Sequence, residues 1–258
     1  MKAYIVNLKS SLERRLYIKR LLQGYPSIQI EWIEAVDGRK LSNEKKEQLF
    51  DISQFQRHYL KEPRAGEIGC TLSHQQCYHT LLKSTEKSVL VFEDDIVLNA
   101  NIEELIPEIE KFLNVDEPRV LLLSGWFWYK SKDNFNNEIN VCKVFDGYLT
   151  HAYALNREAA ELLIDIKPYF LADAWELFIK KGVKIYGLQP HPIDKDWSGV
   201  FKSEVLSGST KKTDFYFSSW INLKVRGIKQ RLYKYLNNFE APQNMDGRVG
   251  DIKKSIKE

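Results

Sequence analysis

Ser88-Val89-Leu90-Val91-Phe92-Glu93-Asp94-Asp95 is the stretch on which the reading of this chain turns. Ser88 to Phe92 has the apolar, β-branched character of a buried strand, and it runs straight into three consecutive acids. Ala3 to Val6 reads as a second buried strand, ended by the turn Asn7 to Ser10. Ser10 with Glu13 fits a capping box, which predicts a helix carrying Arg14, Arg15, Lys19 and Arg20. Ile28 to Ile33 alternates like a half-buried strand and is followed by the turn Asp37-Gly38; a polar helix is expected from Ser42. Ile68, Leu72, Gln75, Tyr78 and Leu82 are at helical spacing, so a helix entered through glycines is expected over Gly66 to Leu82.

The alternation continues downstream. A helix is expected over Ile102 to Leu113 and a strand over Val120 to Leu123. A strand over Tyr148 to Leu155 leads to a helix capped by Asn156, then a helix over Ala172 to Lys180 and a strand over Val183 to Leu188. Strands alternating with helices predict an α/β fold, a mostly parallel central sheet flanked by helices. In such sheets ligands bind beyond the carboxyl ends of the strands. That rule gathers Asn7, Asp37, Glu93 to Asp95 and Ser124-Gly125 on one rim. The polar run Ser207 to Asp214 is the expected boundary between a domain over 1–214 and a basic helical extension over 215–258.

Composition bounds the partners. With 258 residues, 43% apolar and 28% charged, this is the make-up of an ordinary globular chain. A net charge of +3 gives no reason to expect nucleic acid as a partner. Cys70, Cys77 and Cys142 form no CxxC pair, and their odd number argues for a reducing cytoplasm. The opening MKAYIVNLKSSLERR lacks the apolar run of a signal peptide, and no later stretch suits a membrane span. A cytosolic protein, or one lying against a membrane, is expected. Trp220 to Leu236 carries five basic residues and no acid, with Ile221, Val225, Ile228, Leu232 and Tyr235 at helical spacing. That pattern fits an amphipathic helix on an anionic membrane surface, or an ordinary surface helix packing its apolar stripe.

Neighbouring carboxylates repel and favour protonation, so three in a row after a buried strand need a reason. A divalent cation with oxygen ligands supplies one, Mg²⁺ or Mn²⁺ being suited to carboxylate and phosphate oxygens. Alternation along a strand turns Glu93 and Asp95 one way and Asp94 the other. The plain alternative is a solvated turn capping the next helix. Arg14 and Arg15 suit diphosphate oxygens, or simply cover a solvated helix face.

Taken together, several segments resemble glycosyltransferase family 25, the lipooligosaccharide biosynthesis enzymes. They are Tyr4-Ile5-Val6-Asn7-Leu8 with Arg14-Arg15, Ala35-Val36-Asp37-Gly38, Gly66 to His74 (GEIGCTLSH), Val91 to Asp95 (VFEDD) and His151 to Leu155 (HAYAL), in that order. The resemblance implies a GT-A-like fold, a UDP-sugar donor, Mn²⁺ or Mg²⁺ as cofactor, and inversion at the anomeric carbon. It further implies hexose transfer, galactose before glucose, onto a lipid-linked core saccharide at the inner face of a bacterial inner membrane. Residue by residue, Asn7, Leu8, Ala35 and Asp37 are expected near uridine and ribose. Gly66, Ser73, His74, Asp94 and Gly125 line the donor pocket, and His151 lies near the donor sugar or acceptor. Glu93 and Asp95 hold the metal, with His191 as a further ligand and Asp194 or water as its alternatives.

Inverting transfer needs a base for the acceptor hydroxyl. Asp173 is the first choice, ahead of Glu176, Asp194 and Asp196; its plain reading is the cap of the helix that follows. Trp126, Phe127, Trp128 and Tyr129 follow a strand end and suit either stacking on acceptor sugars or a place in the core. Two other function classes compete: a nucleotide-sugar binding module without turnover, and a metal-dependent phosphohydrolase. The second would need another acidic or histidine cluster, which the sequence lacks.

Overall fold

The computed structural model describes residues 1–165, 167–196, 198 and 217–241. The expected boundary at 207–214 and the residues beyond 241 lie outside the described residues. Its elements in chain order are β1 (Lys2–Asn7), α1 (Leu12–Leu22), β2 (Gln29–Glu34), α2 (Asn43–Leu49), α3 (Ile52–Tyr59), α4 (Ala65–Lys83), β3 (Ser88–Glu93), β4 (Ile96–Leu98) and α5 (Ile102–Leu113). There follow β5 (Arg119–Leu122), β6 (Trp126–Asn134), β7 (Asn140–Tyr148), β8 (Ala152–Asn156), α6 (Arg157–Leu163), α7 (Trp175–Lys180), β9 (Lys184–Gln189), β10 (Ile193–Lys195), α8 (Phe217–Tyr235) and β11 (Phe239–Glu240).

Nine strands form one sheet in the order β11-β6-β7-β9-β5-β8-β3-β1-β2. The α/β expectation holds, and the sheet is mixed: β1 runs parallel to β2 and β3, and β5 to β9, while β8 is antiparallel between β3 and β5. Following the pairings outward, β1, β2, β3, β5, β9 and β6 share one direction, and β8, β7 and β11 oppose it.

Strand alternation sorts the core onto two faces. Tyr4, Val89, Val91, Tyr153 and Leu155 pack with α4, α6 and α7 on one side. Ala3, Ile5, Leu90, Phe92 and Ala154 pack with α1 and α5 on the other. Both faces are covered, so these strands read as continuous apolar runs. The α6 cap is as expected, Asn156 Oδ1 accepting from Ala159 N–H at 3.1 Å. At α1 the expectation fails: the cap residue is Ser11, not Ser10, and its side chain makes no capping bond.

Two further corrections follow. The run Tyr148 to Leu155 is two strands, broken at Leu149, which sits at φ 78°. Trp126 to Tyr129 does not trail a strand into a rim loop but opens the β6–β7 hairpin, with Phe127, Trp128 and Tyr129 buried. Helix α8 lies along the hairpin, and β11 adds an edge strand to β6. No described helix is long and apolar enough to cross a membrane.

Candidate active site

The carboxyl ends of β2, β1 and β3 lie side by side, Asn7 opposite Glu34 and Val6 opposite Glu93. A cleft opens there between the loop after β2, the first turns of α4 and the acidic triplet. Gly66, Cys70, Ser73 and His74 line it from one face of α4, as i, i+4 spacing requires. The loop 35–38 is pressed onto this helix. A Cβ on Gly38 would fall 1.8 Å from Ala65 O, and one on Gly69 2.4 Å from Val36 O, so both glycines are required by close backbone approach. Ser73 seals the joint, its Oγ accepting from Val36 N–H at 2.9 Å and donating to Gly69 O at 2.6 Å. Ser73 is thereby committed to holding the wall of the cleft.

Strand β3 ends at Glu93, and Asp94 and Asp95 form the turn that follows. Asp94 turns toward Asn7 and Arg14: Asn7 Nδ2 donates to Oδ2 at 2.8 Å and Arg14 Nη1 to Oδ1 at 2.6 Å. Burial nevertheless raises the Asp94 carboxyl, and adjoining Asp95 adds to the rise. Glu93 and Asp95 turn the other way and converge with His151, one ligand atom from each lying within 4.8 Å of the others. A second such group joins Glu93 with Cys70 and His74. Asp95 Oδ2 lies 3.2 Å from Lys195 Nζ and 3.5 Å from Arg14 Nη1. Its Oδ1 is buried and has no hydrogen-bond donor, and the same is true of Asn7 Oδ1.

Glu93 is held at several points. Thr150 Oγ1 donates to its Oε1 at 2.6 Å, and His74 Nε2 lies 3.7 Å from the same oxygen. Burial pushes its carboxyl up, but the His74 ring and the charges of His151 and Lys195 outweigh that and hold it well below the ordinary carboxylate range. His74 Nδ1 in turn meets Tyr153 Oη at 2.8 Å, which fixes the ring. Burial lowers His151, against the pull of Glu93.

Leu149 carries the bend that organises this side. A branched side chain at φ 78° is strained, and it persists because both its peptide groups are tied. Leu149 N–H donates to Asp173 Oδ2 at 2.9 Å, and Leu149 O accepts from Trp175 Nε1 at 3.0 Å. Asp173 is therefore not the cap of α7, a position that Ala174 occupies. Burial raises its carboxyl, Leu149 N–H and Arg226 oppose the rise, and Glu93 adds to it. One bend thus grips Asp173 through Leu149 and Glu93 through Thr150.

Of the residues singled out from the sequence, Leu8, Arg14, Ala35, Asp37, Gly66, Ser73, His74, Glu93, Asp94 and Asp95 line the cleft. Four others do not. Arg15 lies 4.3 Å over the Trp32 ring, a cation–π contact that draws it aside. Gly125, at φ 126°, packs against the Tyr148 carbonyl, where a Cβ would come within 2.8 Å. Asp173 is tied to the bend through Leu149 N–H and is not part of the lining. His191 belongs to neither ligand group: it lies edge-on to Phe127, its ring nitrogens are buried without hydrogen-bond partners, and burial alone lowers it to about 4.

Sequence reasoning missed Lys195, Thr150 and Arg39, while Cys70 lies in the stretch Gly66 to His74 that was expected to line the pocket. Lys195 reaches the triplet because β10 pairs with β4 directly after Asp95. Those strands are three residues each and far apart in the chain, so no local pattern reveals them. Arg39 was visible two residues beyond Asp37, to which its Nε donates at 2.8 Å.

Residues 1–172 match the model of glycosyltransferase family 25 (LPS biosynthesis protein). A glycosyltransferase 25 family member of Drosophila melanogaster is 34% identical over 176 residues, which are 65% of this chain and 28% of that protein. Procollagen galactosyltransferase 2 of Mus musculus is 26% identical over 174 residues, 64% of this chain and 28% of the relative. The chain thus spans under a third of the length of these relatives. Among solved structures, a glycosyltransferase involved in the glycosylation of the major capsid of PBCV-1 aligns with a TM-score of 0.31 at 13% identity, covering 63% of this chain and 62% of that one. With its family model matched over 1–172 of 258 residues, across both the cleft and the acidic triplet, the chain belongs to glycosyltransferase family 25.

Proposed function

We propose that the chain transfers a hexose from a uridine-diphosphate sugar to a saccharide hydroxyl, with Mn²⁺ or Mg²⁺ held at Glu93 and Asp95. The observation that supports this most is the buried Asp95 Oδ1, which has no donor, on a carboxylate that clusters with Glu93 and His151. A buried polar atom left unsatisfied costs about 1–3 kcal/mol, more when charged. A hard cation with oxygen ligands removes that cost and fits this donor set. Asp95 and Glu93 would hold it, with His151 from the same cluster in the place first expected for His191. Such a cation supplies electrostatic stabilisation of the negative charge on the leaving diphosphate.

The protein's own groups do the rest. Arg14 and Lys195 neutralise the triplet and stand ready for phosphate oxygens. The wall formed by Leu8, Ala35, Asp37 and Gly66 receives the nucleoside, with Asn7 holding Asp94 beside it, His74 and His151 flank the sugar, and Gly125 supports the bend. Asp173 is the proposed base, oriented by Leu149 N–H to take the acceptor proton as the new bond forms with inversion.

Galactose is the preferred sugar, in keeping with the activity named for the mouse relative, and a core saccharide of lipopolysaccharide the preferred acceptor, in keeping with the family's description. The acceptor would then be lipid-linked, and the enzyme peripheral on the cytoplasmic face of the inner membrane. Residues 1–214 would form the transferase proper and 215–258 a basic extension. The test is UDP release from a panel of UDP-sugars, with Mn²⁺ or with EDTA, for wild type and Asp95→Ala. Slow, EDTA-sensitive release from UDP-galactose, lost in the variant, is expected. No release from any donor, with or without oligosaccharide acceptors, would leave a binding module.

A further inference from the structure

Surface helices of globular domains bury their apolar stripe. Helix α8 buries the opposite face. Its half-buried positions after Trp220 are Arg226, Gly227, Gln230 and Tyr233. Arg226 holds Asp146 with Nε at 2.8 Å and with Nη2, reaches Glu176 at 3.3 Å, and lies 4.9 Å over the Tyr148 ring. Gln230 donates to Asp146 at 2.7 Å and to Tyr148 at 3.1 Å, and Tyr233 packs 4.4 Å from Phe145.

The stripe Val225, Ile228, Leu232 and Tyr235 faces outward, 58%, 62%, 55% and 85% exposed. At roughly 100° per residue, Lys224 and Arg231 border one edge of that stripe, while Lys229 lays its ammonium 4.3 Å over the Phe145 ring. Lys224, Lys229, Arg231 and Lys234 have no acidic partner among the described residues. The polarity of the helix is locked. Rolling the stripe inward would strip Arg226 from Asp146, a carboxylate only 2% exposed, and leave a buried charge alone.

We infer that the outward face of α8 seats on the headgroup region of an anionic bilayer, its stripe among the upper acyl carbons and its bordering cations on lipid phosphates. Long basic side chains beside an apolar stripe suit this geometry, since their stems lie along apolar surface while their charges reach the phosphates. A second copy of the chain suits it poorly: a two-fold contact through this face would set one acid-free basic border against another. The inference deepens the proposal of a lipid-linked acceptor, and rests on it only for its purpose. The clamp also grips Tyr148, next to Leu149, so the lipid-facing helix and the bend holding Asp173 and Glu93 are mechanically joined.

The test is flotation of the full chain with vesicles of phosphatidylcholine alone or mixed with phosphatidylglycerol. Binding is expected to the mixed vesicles, weakening as salt is raised. Ile228→Asp with Leu232→Asp, and separately Lys224→Glu with Arg231→Glu, are expected to lower it by about tenfold or more, a charge near such a surface being worth about fivefold. Lys111→Glu, at an 82%-exposed side chain on α5, serves as the charge-matched control and leaves binding intact. Manganese-dependent UDP release in free solution should be unchanged in all these variants, so loss of catalysis and loss of lipid binding are read separately. Three results would overturn the inference: no vesicle binding, equal binding to both compositions, or self-association in the ultracentrifuge abolished by the stripe variants.

Discussion

Two buried carboxylates, Asp146 under α8 and Asp95 in the cleft, are 2% and 3% exposed and have opposite surroundings. Asp146 is fully answered: Oδ1 accepts from Gly147 N–H and Arg226, and Oδ2 from Arg226 and Gln230. Asp95 is answered on one side only, by Lys195 and Arg14 at ion-pair distance, and its Oδ1 meets no donor. A closed set of donors fixes two elements together and leaves nothing for a ligand. An open one stores a cost that a bound cation relieves. In this fold the first carboxylate builds the structure, and the second marks the site.

The contrast breaks most sharply at Arg226. Removing one partner of a buried pair costs about 3–5 kcal/mol, so Arg226→Ala should show that loss in denaturant titration, while Asp95→Ala costs much less. Activity should run the other way. Asp95→Ala is expected to lower kcat by about 10²–10³, the scale for losing one electrostatic stabiliser of a developing charge, with a folded spectrum retained.

His191 is a third buried group, whose two ring nitrogens have no hydrogen-bond partner and which lies outside both ligand groups. Its pKa falls from about 6.5 in the unfolded chain to about 4 in the fold. The unfolded state therefore binds the extra proton between those values. The stability contributed by the neutral ring is complete above about pH 6.5 and is lost as pH falls toward 4, about 3 kcal/mol in all. His191→Phe should flatten that limb of a stability–pH curve; an unchanged limb would place the titration elsewhere. The smallest effect is expected at Thr150. Thr150→Val removes a single hydrogen bond to an ionised Glu93, worth about 1.5–3 kcal/mol, and should lower the melting temperature by several degrees along with kcat.

Much of the fold was legible because the central strands are buried on both faces. Ser88–Glu93 and Lys2–Asn7 show as apolar runs whatever packs on them. The β6–β7 hairpin was not legible. Trp126–Asn134 goes from buried aromatics to an exposed polar half, with register shifts around Tyr129, so it never alternates. At the site, residues on strand ends could be read, since the end of a strand fixes where its side chains go. Lys195 and Thr150 could not, because each reaches the triplet through a pairing or bend distant in sequence. The α8 stripe was visible as a pattern, yet its direction was not: which face docks is decided by Asp146, a β7 residue with no local signature of the role.

The most direct test is calorimetric titration of UDP into wild type and Asp95→Asn, each with Mn²⁺ and with EDTA. Binding by the wild type is expected to depend on Mn²⁺ and to fall at least about tenfold, or 1.4 kcal/mol, with either EDTA or the substitution. Equal affinity in all four titrations would show that the open carboxylate has no part in holding the donor, and would contradict the account.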